Sequence, residues 1–137
     1  MKLLCVKAAA KFIASEREHF MKNALKILIV ENDTISALLL CYYMKMFGFC
    51  DCFLAATAED ALKIAEEELP DVVFMETILE GGTCGIETAK RILKKVGNVV
   101  IAFTTSCDDA EVMQKAQQVS QAGYFVKPLK INVEPVR

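Results

Sequence analysis

The stretch Lys26-Ile27-Leu28-Ile29-Val30-Glu31-Asn32-Asp33 decides the fold. Its near-continuous apolar run, rich in β-branched residues, shows no polar alternation, which is the signature of a strand buried on both faces. The run stops abruptly in three polar residues. A parallel sheet covered by helices on each side needs such strands, and it places its reactive groups at their C-terminal tips.

Downstream, Asp33 or Thr34 can cap a helix in which the apolar residues Ile35, Leu38, Leu39, Tyr42 and Met46 recur at helical spacing, with Gly48 as its stop. A short strand follows over 50–55. Thr57, with Asp60 three positions on, forms a variant capping box for a helix through Glu68, which Leu69-Pro70 ends. Val72 to Met75 is a third strand, and 76–84 is a glycine-containing loop. Residues 85–96 then carry Ile86, Ala89, Ile92, Leu93 and Val96 on one helical face. Residues 99–103 form a fourth strand ending in the hydroxyls Thr104, Thr105 and Ser106. Ser106 with Asp109 can cap a helix to about Val119, and Tyr124-Phe125-Val126 makes a fifth strand before Lys127-Pro128. Strands alternating with helical crossovers predict right-handed βαβ units, a parallel sheet and a three-layer doubly wound α/β fold.

Length and composition bound the rest. The 137 residues suit one domain, and an apolar fraction of 54% is above the ~45–50% usual for soluble domains, which points to a covered surface and makes a homodimer an expectation. Sixteen basic and eighteen acidic residues are spread along the chain, so direct nucleic-acid binding is not expected. Lysines interrupt the apolar N-terminal stretch, and no run approaches a membrane span, so neither a signal peptide nor a membrane anchor is expected. The six cysteines lack framework spacing and read as reduced and cytoplasmic. In Cys50-Asp51-Cys52 both thiols lie on one strand face, which suits core packing, with redox sensing or metal binding as the alternative. His19 lies outside the strand and helix pattern.

The strand tips converge chemically. Glu31 and Asn32 follow the first strand, Glu76 ends the third, Thr105 the fourth and Lys127 the fifth, and a doubly wound sheet brings all of these to one crevice. Neighbouring acids ordinarily hold Mg²⁺, a hydroxyl holds a transferred phosphoryl oxygen, and a lysine neutralises its charge.

With these motifs the chain resembles the receiver domain of two-component response regulators, from about Leu25 to Leu129. The resemblance rests on Lys26 to Asp33, Pro70-Asp71-Val72-Val73-Phe74-Met75-Glu76, Gly85-Ile86-Glu87-Thr88-Ala89, Thr104-Thr105-Ser106 and Tyr124-Phe125-Val126-Lys127-Pro128. It implies a flavodoxin-like fold of five parallel strands in the order 2-1-3-4-5. It assigns Glu76 to the phosphoacceptor position, Glu31, Asn32, Glu76 and the Ile78 carbonyl to a metal site, Thr105 and Tyr124 to the switch, and Lys127 to the pairing of phosphate. Thr105 can instead cap the next helix, and Tyr124 can instead pack as a strand aromatic.

Two positions depart from the family's pattern. Glu76 stands where the family carries Asp, and its extra methylene displaces the carboxylate in a crevice whose chemistry is sensitive at the ångström level. Asn32 removes one charge from the metal site, so Mg²⁺ binding is weakened or lost and no cofactor is required. Three readings stand for Glu76: it imitates a phosphoryl group toward Lys127 and Thr105, it merely satisfies Lys127, or it retains residual phosphotransfer.

The ends complete the expectation. Residues 1–24 are an N-terminal extension, read as helical, 25–129 the domain, and 130–137 a short tail whose Pro135 argues against the family's fifth helix. Residues 3–20 would fill the resulting gap, in the same chain or swapped into a partner. The leading function is an atypical stand-alone receiver, not an enzyme, acting in phosphorelay-type signalling through a signalling partner or histidine kinase, on a face around the fourth helix and fifth strand. The alternatives are a conventional Mg²⁺-dependent phosphoacceptor and a flavodoxin-like cofactor-binding protein.

Overall fold

Lys26–Val30 forms strand β1, and its apolar residues are all buried. Alternate side chains feed two different cores, as the pleat requires. Ile27 and Ile29 pack under helix α1 (Thr34–Met46), while Leu28 and Val30 face helices α2 (Ala58–Glu68), α3 (Gly85–Val96) and α4 (Ala110–Val119). Strands β2 (Asp51–Ala55), β3 (Val72–Glu76), β4 (Val100–Thr105) and β5 (Gly123–Val126) complete one sheet, entirely parallel, in the order β2-β1-β3-β4-β5. The computed structural model describes residues 25–49, 51–105 and 109–120 and the backbone of 123–126.

The expected α/β doubly wound, flavodoxin-like architecture and strand order are therefore present. β3 is buried along its whole length at the centre of the sheet. Phe74 points into one core and Met75 into the other, and burying side chains of this size stabilises by about 1.5–3 kcal/mol each. At the opposite end of the sheet from the strand tips, Asp71 ties three strands together. Its carboxylate accepts the Lys26 amide at 2.9 Å, its own amide donates to the Lys26 carbonyl, and its carbonyl accepts from Val100 N–H.

Two helix starts differ from expectation. Thr57 caps α2 as expected, its hydroxyl accepting the Asp60 amide at 3.2 Å. Helix α4 begins later than a Ser106 cap would place it. Asp109 is its cap, with one carboxylate oxygen taking the amides of Glu111 at 2.8 Å and Val112 at 3.3 Å. At α1, Asp33 occupies the cap position but its side chain accepts the Ser36 hydroxyl rather than a backbone amide. β4 also runs two residues further than its apolar run, so Thr104 and Thr105 belong to the strand itself.

The larger correction concerns the orientation of α1. The spaced apolar residues Ile35, Leu38, Tyr42 and Met46 are 77%, 56%, 60% and 62% exposed, and the face turned to the sheet is Ala37, Leu40, Tyr43 and Met44. This helix is apolar almost all round, so its periodicity carries no phase. The sheet selects the face whose small Ala37 permits close approach. Among the described residues α1 stands alone on its side of the sheet.

Several expectations lie outside the described residues: the N-terminal extension and its helix, the C-terminal tail and missing fifth helix, His19, Cys50, Ser106, Lys127 and the Tyr124 side chain.

Candidate functional site

The site is built at the C-terminal tips of β1, β3 and β4. Glu31 follows β1, and its amide donates to the Ala55 carbonyl at 2.9 Å, which extends the β1–β2 pairing by one residue and holds the side chain at the sheet edge. Glu31 is 6% exposed, and its carboxylate accepts the Asp33 amide at 3.0 Å, which tightens the turn into α1. Asn32, at the apex of that turn, is exposed. Glu76 is the last residue of β3, registered opposite Thr104 of β4, and is 4% exposed.

The backbone behind Glu76 is gripped by the start of α3. Gly85 N–H donates to the Thr77 carbonyl at 2.7 Å, and a Cβ built on Gly85 would lie 1.8 Å from the Glu76 carbonyl oxygen. Only glycine allows this approach. The intervening loop is pinned by buried Leu79, whose amide donates to the Thr83 carbonyl at 2.8 Å. An antiparallel bridge between Ile78 and Cys84 closes it. Gly81 and Gly82 supply the left-handed backbone that the short 3₁₀ turn Glu80–Gly82 requires.

Thr77 is a residue of the site that the sequence did not single out. Its hydroxyl hydrogen-bonds the Thr105 hydroxyl at 2.5 Å, and both side chains are buried. The residue immediately after Glu76 is thus linked to the predicted switch hydroxyl on the neighbouring strand. The only trace of this in the sequence is a hydroxyl residue at each of the two strand ends, and their pairing depends on register.

The structure brings Glu31, Glu76 and Thr105 to adjacent strand tips and leaves Asn32 and Ile78 exposed beside them. Among the described residues, no group of three His, Cys, Asp or Glu side chains is placed to hold a metal ion. Val126 pairs with Thr105, so β5 ends beside β4 at this same edge.

This arrangement of strand tips agrees with a comparison of families. The model of the response regulator receiver domain matches residues 27–133. The chain belongs to this family. Among relatives of the receiver, a cyclic di-GMP phosphodiesterase of Thermotoga maritima is 30% identical over 113 residues, covering 82% of this chain and 29% of the relative. Sporulation initiation phosphotransferase F of Bacillus subtilis is 29% identical over 107 residues, covering 78% of the receiver and 85% of the relative. A two-component response regulator of Clostridium difficile superimposes with a TM-score of 0.70 at 26% identity, covering 77% of this chain and 85% of that one. The receiver domain of a modulated diguanylate cyclase from Desulfovibrio desulfuricans gives 0.67 at 32%, covering 76% and 82%. The receiver spans 29%, 36% and 47% of three of its curated relatives. No described helix is long and apolar enough to cross a membrane. The cofactor-binding alternative gives way to this family.

Proposed function

We propose that this chain is an atypical receiver that works in the cytoplasm by protein–protein contact in phosphorelay-type signalling, with Glu76 imitating the phosphorylated state. The observation that supports this best is the burial of the Glu76 carboxylate at the tip of β3, one residue before the Thr77 and Thr105 hydroxyl pair. A carboxylate taken out of water costs several kcal/mol unless donors or a cation reach it. Lys127, the family's phosphate-pairing lysine, is the cation this reading assigns. A negative charge held there does part of what a phosphoryl group does, and the Thr77–Thr105 bond carries its position to β4.

Partner binding on the face of α4 and β5 is then constitutive, and the partner is a signalling protein or histidine kinase. No catalytic step and no cofactor enter. A divalent cation would meet Glu31, Asn32, Glu76 and the Ile78 carbonyl, and the Glu31 carboxylate already accepts the Asp33 amide, so this donor set suits Mg²⁺ poorly. Self-association belongs to the same reading, because the outward stripe Ile35, Leu38, Tyr42 and Met46 is an apolar seam on a helix with one charged residue, Lys45.

Hydrogen exchange of the wild type, Glu76→Gln and Glu76→Asp, with intact mass after acetyl phosphate and Mg²⁺, tests the proposal. It expects no phosphoryl adduct on the wild type and faster exchange across 100–126 in Glu76→Gln. A labile adduct that Glu76→Gln lacks would establish the conventional phosphoacceptor instead. Equal exchange in wild type and Glu76→Gln would reduce Glu76 to a spacer for Lys127.

A further inference from the structure

We propose that Cys41 and Cys52 form a reversible redox-modification site, in which a hydroperoxide converts the two thiols to a disulfide joining α1 to the edge strand β2. Cys41 lies in the C-terminal half of α1 and Cys52 in β2, and both pack on the α1-side core between helix and sheet edge. The two thiols are close enough to interact, and the Cys52 S–H donates to the Phe49 carbonyl oxygen at 3.9 Å. Each cysteine is half-buried. The strand pairing that sets Cys52 opposite Ile27 turns it toward α1. The site stands independently of the proposed role of Glu76.

The chemistry divides between the two residues. Burial, and then the neighbouring Cys41, push the Cys52 thiol up to about 12, and its S–H is held by the Phe49 carbonyl, so the first attack is assigned to Cys41 and the second to Cys52. Cys41 sulfur attacks the peroxide oxygen, the O–O bond breaks, and an alcohol or water departs as Cys41 becomes a sulfenic acid. Cys52 sulfur then attacks Cys41 sulfur, forming the S–S bond and expelling water. In sum two thiols lose two electrons and two protons, and the hydroperoxide is reduced to alcohol and water. A dithiol reductant reverses the change. The closed ring spans only about a dozen residues, and it would pin the helix carrying the exposed apolar stripe to the sheet edge.

The full chain, reduced and then exposed to a small excess of hydrogen peroxide, should lose the mass of two hydrogens as a monomer and regain it with dithiothreitol. Non-reducing peptide mapping should join the Cys41 peptide to the peptide holding both Cys50 and Cys52, with fragment ions placing the bond on Cys52. Cys52→Ser should abolish the bond and Cys50→Ser should keep it. Because the wild-type fragment ions assign the bond directly, a variant that fails to fold leaves the test intact. A bond to Cys50, a disulfide between chains, or a Cys41 sulfinic acid with Cys52 still reduced would each overturn the proposal.

Discussion

Replacing Gly85 with alanine would drive a methyl group to 1.8 Å from the Glu76 carbonyl oxygen, with the Glu76 carbonyl carbon at 2.9 Å and the Thr77 carbonyl carbon at 3.1 Å. Real Cβ atoms keep clear of backbone atoms by more than 3 Å, so the start of α3 and the β3 tip must separate by more than an ångström. Neither can turn aside, because both obstacles are backbone. The separation stretches the 2.7 Å bond from Gly85 N–H to the Thr77 carbonyl, and losing a buried bond of this kind costs about 1–2 kcal/mol. Overpacking a buried site adds roughly 1–3 kcal/mol. The total, about 2–5 kcal/mol, is a large part of the ~5–15 kcal/mol that holds an ordinary domain folded. Gly81→Ala is the control: nothing lies near its Cβ, and its φ of +76° costs a non-glycine residue only about 1 kcal/mol. Urea unfolding followed by circular dichroism measures both. A Gly85→Ala loss no larger than that of Gly81→Ala would refute the claim that the Glu76 carbonyl and α3 are in enforced contact.

Three further outcomes follow from the geometry. Thr77→Val removes one partner of a buried hydroxyl pair and should destabilise by about 1–2 kcal/mol, and a double-mutant cycle with Thr105→Val should show coupling of roughly 1 kcal/mol; additive losses would mean the bond carries no energy. Leu69, exposed and left-handed at φ 49°, ends α2 in a backbone state that suits glycine, so Leu69→Gly should stabilise by about 0.5–1 kcal/mol once the unfolded chain's added freedom is subtracted; a lower urea midpoint would contradict this. The raised Cys52 thiol makes the folded state hold its proton where the unfolded chain releases it. Its contribution is therefore complete below pH 9 and lost as pH climbs toward about 12. The urea midpoint of the wild type should fall more steeply than that of Cys52→Ala across that window, and parallel curves would exclude the effect.

The sequence by itself determined the α/β class, the crossover pattern and most strand bounds. Runs such as Ile27 to Val30 are too apolar for anything but a strand covered on both faces. It also placed Glu31, Glu76 and Thr105 at strand tips, because chain order and the handedness of βαβ units bring those tips to one edge. Tertiary structure alone decided the phase of α1. A helix apolar nearly all round has spacing without direction, and the sheet took Ala37 and Leu40 while turning Ile35 and Leu38 outward. It alone joined Thr77 to Thr105 and Cys41 to Cys52, since such pairs depend on register and on how closely a helix settles, distances that one-dimensional order does not contain. The same holds for Gly85, which reads in the sequence as a helix start and becomes, against the Glu76 carbonyl, a contact that no side chain can enter.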